Sequence, residues 1–138
     1  MKPTDCIFFQ LAKASQNSVR FWGQRAAGLG LTAAQAMVMR FLFDEDGITS
    51  KELGERTQLD SATLTGIIDR LEAQKLVVRA GNPDDRRAIS VRLTEAGHGV
   101  AEKISRLSEE ANRDFLKGFS DQEIEMLHKL LAAVRRIA

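Results

Sequence analysis

The sequence predicts a mainly α-helical (α+β) fold in which a helix-turn-helix is followed by a two-stranded β-wing and flanked by helices from both ends of the chain. Three observations carry this. A Ser/Thr residue followed three positions later by Glu/Gln occurs at Thr32 with Gln35, Thr49 with Glu52 and Ser120 with Glu123. Each pair marks a helix start, because the hydroxyl and the returning side chain satisfy amides that the first turn leaves orphaned. In "DSATLTGIIDRLEAQK" the residues Leu64, Ile67, Ile68 and Leu71 follow i, i+3, i+4, i+7 and so face a core. Directly after it, "LVVRA" and "AISVRL" read as strands, with Ile89, Val91 and Leu93 alternating with Ser90 and Arg92.

In chain order, a first helix over 5–27 carries Ile7, Phe8, Leu11, Ala14, Val19 and Trp22 close to one stripe, and "GLGL" punctuates it. A second, mostly buried helix opens at Thr32 and runs to about Phe43. A short helix over 50–56 and the turn "TQLD" lead into the helix capped by Asp60. The two strands are joined by "GNPDDRR", a polar loop longer than a simple hairpin needs. A long charged helix follows from Thr94 to about Gly118, and the last helix places Ile124, Leu127, Leu130, Leu131 and Val134 on one stripe.

A chain of 138 residues, 43% hydrophobic, is one domain with a real core. Its 20 basic against 19 acidic residues leave a net charge of +1, so any electrostatic footprint must be local. The single cysteine, Cys6, cannot form an internal disulfide and points to a reducing, cytoplasmic setting. The first residues read as neither a signal peptide nor a membrane span. Lone His98 and His128 have no second ligand at metal spacing, and neither a nucleophile–base pair nor a Gly-rich phosphate loop is present. No metal, cofactor or enzymatic activity is therefore expected.

Removing the core stripe from the Asp60 helix leaves Ser61, Ala62, Thr63, Thr65, Gly66, Asp69 and Arg70 on the exposed face. Short polar residues allow close approach to a major-groove floor, and the helix start offers amides to a phosphate. Capping chemistry accounts for the same Ser and Thr in the alternative. The adjoining wing favours double-stranded DNA, since Arg86 and Arg87 at its tip can enter a minor groove beside the recognition helix. Asp85 is expected to position the wing by pairing with a neighbouring arginine such as Arg70, with a solvated turn built on Asn82, Pro83 and Asp84 as the alternative.

The span from "LTAAQAMVMRFL" through "TSKELGERTQLDSATLTGIIDRLE" to "LVVRAGNPDDRRAISVRLTEAG" resembles the multiple-antibiotic-resistance regulator (MarR) family of bacterial transcription factors. The resemblance implies a winged-helix homodimer that binds a palindromic operator, most often as a repressor. Residues 32–93 would be its DNA-binding region, and residues 5–27 and 94–138 its dimerisation helices. Carried over position by position, the recognition-helix contacts fall on Ser61, Thr63, Thr65 and Arg70, and the wing's Asp-x-Arg pattern on Asp85 and Arg87. Ser50 and Lys51 are expected at phosphates, and Asp60 at the start of the recognition helix joins this set.

The sequence supports a dimer independently. Ile7, Phe8 and Leu11 in the first helix and Ile124, Leu127, Leu131 and Val134 in the last offer more apolar surface than one winged helix covers. The alternative is that these helices pack on each other within one chain. The resemblance further implies release from DNA by a small lipophilic or phenolic effector, for which Trp22, Met37 and Phe41, with Met39 and Phe43 nearby, supply a lining and Arg25 an anion partner. The same residues at helical spacing also suit plain core. An organic-peroxide-sensing branch carries a reactive cysteine in its first helix, which directs attention to Cys6. Against that reading, Cys6 lies about two residues too far from the "LT" start, the chain has no tyrosine, and only Asp5 is charged beside the thiol. A winged helix that binds a protein partner instead of DNA is the remaining rival.

Overall fold

Helices α1 (Ile7–Ala27), α2 (Ala33–Asp44), α3 (Ser50–Thr57), α4 (Ser61–Ala73), α5 (Glu95–Leu116) and α6 (Asp121–Arg135) form with strands β1 (Ile48–Thr49), β2 (Val77–Asn82) and β3 (Asp85–Leu93). The computed structural model describes residues 1–137, apart from the side chains of Asn82 and Arg86. Helices begin where the sequence places caps. Thr32 and Gln35 exchange bonds of 3.2 and 3.1 Å, and Ser120 and Glu123 exchange bonds of 3.1 and 2.9 Å. At α3 only half of the box forms: the Thr49 hydroxyl accepts from the Glu52 amide at 3.1 Å, while Thr49 itself lies opposite Ser90 as the end of β1.

That strand was not expected from the sequence. Two residues carry no periodicity, and β1 exists only because β3 lies beside it, giving a sheet of order β1-β3-β2 in place of a two-stranded hairpin. The wing corrects the sequence reading in a second way. The strands continue through most of "GNPDDRR", so the turn is Pro83–Asp84 alone. The extra length is absorbed by a bulge, since Gly81 faces Ile89 while Asn82 faces Asp85, leaving residues 86–88 without partners across the ladder. The expected alternation in β3 also breaks: Val91 and Leu93 are buried, but Ile89 is 47% exposed and Ser90 is buried. Ile89 lines the open cleft that faces α3 and α4, whereas Ser90 is small and is flanked by Thr49 and Ala80 on the adjoining strands.

One core joins the two ends of the wing region. Leu64, Ile67, Ile68 and Leu71 of α4 are all buried as their spacing requires, and they meet Val38, Met39 and Leu42 of α2 and Val77 and Val91 of the sheet. Helix α5 packs along α2 through Ala101 and Ile104, and α1 packs on both. Two left-handed residues make the tight corners: Gln58 (φ 58°) ends α3, and Lys75 (φ 61°) follows α4. By contrast α6 buries none of its residues and makes no extensive contact with another element of its own chain. No helix among the described residues is long and apolar enough to cross a membrane.

Candidate nucleic-acid interface

The α3–α4 corner and the wing enclose a cleft of about 980 Å³. Ser50 and Lys51 line it from α3, Ser61 and Thr65 from α4, and Asp85 and Arg87 from β3. Six of the residues singled out in the sequence, from three separate segments, thus share one surface. Asp60, Thr63 and Arg70 are exposed but lie outside the cleft lining, and the Arg86 side chain lies outside the described residues. No ion pair among the described residues engages Lys51, Arg70 or Arg87, which leaves these cations available to an anionic partner.

Asp60 is the cap of α4. Its Oδ1 accepts from the Thr63 amide at 2.8 Å and its Oδ2 from the Thr63 hydroxyl at 2.7 Å. These bonds, the amide first and the hydroxyl second, hold its carboxyl below the usual carboxylate range. The carboxylate thereby presets the first turn of the recognition helix and commits the Thr63 proton. Ser61 and Thr65 line the cleft beside it.

Asp85 does not meet Arg70. Its Oδ1 accepts from the Arg87 amide at 2.9 Å, an Asx-type bond two residues along the same strand. The short side chain reaches its own bulge before it can span to α4, so it shapes the wing tip from within. The brace between wing and recognition helix is instead Arg79 on β2, which sequence reasoning missed. Its guanidinium lies 2.7 Å from Asp69 Oδ1 and 3.0 Å from Glu72 Oε1, and it donates to the Thr65 carbonyl at 3.4 Å. The Arg79 amide adds a bond of 3.1 Å to Glu72 Oε2. A signal was present: an arginine stands in the apolar run "LVVRA", and Asp69 and Glu72 are one turn apart on the exposed side of α4.

A second cavity of about 590 Å³ opens between α1, α2 and α5, and Trp22, Met37 and Phe41 line it as expected. Met39 does not, being fully buried in the core. Arg25 is also elsewhere: its guanidinium stacks 3.6 Å from the Phe21 ring centre and pairs with Asp114 at 3.4 Å, and it lines a separate shallow hollow. One turn after Phe21, itself a lining residue, Arg25 is held over that ring and by Asp114 of α5 and is not part of the lining. The cavity's cation is Arg40. Cys6 is half-buried at the start of α1 and lines none of these cavities. Of the expected dimer residues, Ile7, Phe8, Leu127, Leu131 and Val134 are exposed, and Leu11 and Ile124 are half-buried.

Residues 29–88, which include α2 through the wing tip, match the model of the MarR family. The organic hydroperoxide resistance transcriptional regulator of Bacillus subtilis is 30% identical over 138 residues, with 94% of each chain covered. The chain belongs to the MarR family. Its relatives include the HTH-type transcriptional regulator TtmR of Methylorubrum extorquens, 43% identical over 54% of this chain, an overlap that spans only 38% of TtmR. Among solved structures, BpsR of Bordetella bronchiseptica, described with regulation of its DNA binding by 6-hydroxynicotinic acid, has a TM-score of 0.91 at 28% identity and covers 100% of this chain and 99% of that one. A cysteine-to-serine mutant of MarR from E. coli complexed with operator DNA has a TM-score of 0.83 at 28% identity, with 91% and 90% of the two chains covered. Membership of the MarR family makes this chain a relative of transcriptional regulators, and its winged helix is theirs.

Proposed function

We propose that this protein is a homodimeric, sequence-specific double-stranded-DNA-binding transcriptional repressor that is released from a palindromic operator by a small lipophilic effector. The observation that carries the reading is the cleft in which Lys51, Ser61, Thr65 and Arg87 converge, with hydroxyl-bearing residues from α4 and uncommitted cations from α3 and the wing. Residues 32–93 form the DNA-binding region, in which α4 enters the major groove and the wing, through Arg87, reaches the minor groove. Ser50 and Lys51 hold a phosphate, and Asp60 and Asp85 preset the helix start and the wing tip. Residues 5–27 and 94–138 form the dimerisation part. Support for that comes from α6, whose Leu127, Leu131 and Val134 are left exposed by their own chain and need a second copy to cover them. The effector occupies the cavity between α1, α2 and α5, against Trp22, Met37 and Phe41. The operator complex of E. coli MarR and the regulation of BpsR by 6-hydroxynicotinic acid support the DNA and effector assignments by similarity.

Mobility shift with DNA from around the protein's own locus, at two salt concentrations, tests the reading. Binding that weakens steeply with salt is expected, because each phosphate contact releases a counterion. Absent or salt-insensitive binding would favour a protein-partner module instead. Sedimentation should give twice the chain mass, and footprints should show half-sites about one helical turn, roughly 34 Å, apart.

A further inference from the structure

Gly66 stands in the middle of α4, and nothing in its own chain requires a glycine there. Its backbone is not among the left-handed positions, and a Cβ built on it would meet no described atom within 4 Å. Glycine is also the weakest helix former apart from proline. Within the folded chain, alanine at this position would be tolerated and even favoured. What the missing side chain changes is the outline of the helix.

Leu64, Ile67, Ile68 and Leu71 fix the buried face of α4. At about 100° per residue, Gly66 points within about 30° of the direction opposite that face. It therefore lies on the leading edge of the helix, next to Thr65, which lines the cleft with Ser61. The polar groups around it are short, spent or to the side. Thr63 gives its hydroxyl proton to Asp60 at 2.7 Å, and Asp69 is paired with Arg79 of the wing at 2.7 Å. Arg70 is long, but it stands about 70° round from the leading direction and can fold aside. An ordinary side chain extends about 3 Å beyond the Cα radius of about 2.3 Å, and the major groove is about 8.5 Å deep. The hydroxyls of Ser61 and Thr65 reach base edges only if no longer side chain on the leading edge strikes the floor first.

We infer, on the reading that α4 enters the major groove, that Gly66 sets how deeply the helix seats there and so how strongly the protein prefers its operator to other DNA. A side chain at this position holds Ser61 and Thr65 off the bases. Lys51 and Arg87, which approach phosphates from α3 and the wing, keep their contacts. Sequence-specific binding then falls while sequence-independent binding stays.

Mobility shift of the full chain on DNA from around its own locus and on an unrelated duplex of equal length, with melting points in parallel, tests this role. Gly66→Ala should raise the melting point by about 3 °C and weaken operator binding several-fold. Gly66→Leu should weaken operator binding about tenfold or more. Both should bind the unrelated duplex within about twofold of the unaltered protein. Gly99→Ala, equally unobstructed but in α5, should raise the melting point and leave both affinities unchanged. Operator binding unaltered in Gly66→Leu, or lost in parallel with binding to the unrelated duplex, overturns the seating role. A melting point lowered by Gly66→Ala shows that the chain itself uses the glycine and overturns it too. If the unaltered protein binds neither duplex, or both alike, the assignment of α4 as the groove-reading helix fails first, and the role of Gly66 with it.

Discussion

Gly97, in the first turn of α5, is the position where a single methyl group is expected to do most damage. A Cβ built there would lie 1.9 Å from the Leu76 carbonyl oxygen and 2.9 Å from its carbon, whereas real Cβ contacts do not fall below 3.0 Å. The obstacle is backbone, so α5 and the α4–β2 junction must move apart by about an ångström. That junction is held by two bonds, Thr94 N–H to the Leu76 carbonyl at 3.0 Å and the Thr94 hydroxyl to the Lys75 carbonyl at 2.7 Å. Losing both costs about 2 kcal/mol and the overpacking a further ~1–3 kcal/mol, against a helix-propensity gain of about 1 kcal/mol for Ala over Gly. Gly97→Ala should therefore destabilise the protein by roughly 3 kcal/mol, which for a chain of this size is a melting point lower by about 10 °C. Gly99→Ala is the control, two residues along the same helix with nothing within 4 Å of the added carbon. It should raise the melting point slightly. Thermal denaturation of both variants decides the matter, and a Gly97→Ala melting point indistinguishable from wild type would refute the predicted clash.

Three further expectations concern the DNA-binding face. Arg87→Ala should weaken operator binding about tenfold or more, lower the salt slope by about one and leave the melting point unchanged; unaltered affinity would show that the wing does not touch DNA. Arg79→Ala should also weaken binding, by loosening the wing against α4, but with an unchanged salt slope because its charge is already met by Asp69 and Glu72; a slope lowered as for Arg87→Ala would place it on a phosphate. Asp60 has its folded carboxyl held below the unfolded value, so the stability it adds is present above the unfolded carboxyl range and is lost as pH falls through the lower folded value. Glu123 at the α6 cap follows the same sign. A melting curve series from about pH 7 to about pH 3 should accordingly be shallower on the acid side for Asp60→Asn, which keeps an acceptor but does not titrate there; an unchanged acid limb would contradict the cap assignment.

Local rules made most of the helices legible. The caps at Thr32, Thr49, Asp60 and Ser120 all form, and the spacing of Leu64, Ile67, Ile68 and Leu71 identifies the buried face of α4. Both depend on near neighbours in the chain, which the sequence displays directly. The exposed face of α4 followed by subtraction, and with it Ser61 and Thr65 at the cleft.

What the sequence by itself determined was thus the helix boundaries, the helix-turn-helix with its wing, and the residue types on the exposed face of α4. The tertiary structure alone decided which of them meet. β1 exists because β3 runs beside it, and Asp85 turns back on Arg87 because the bulge brings that amide within reach. Arg79 becomes the brace because the sheet carries it to Asp69 and Glu72, and Arg25 is drawn to Asp114 of α5 while Arg40 lines the cavity. Apart from the Asp85 turn, these are pairings between separate elements of the chain. Their partners are chosen by packing geometry, which a periodicity of about 3.6 or about 2 residues does not encode.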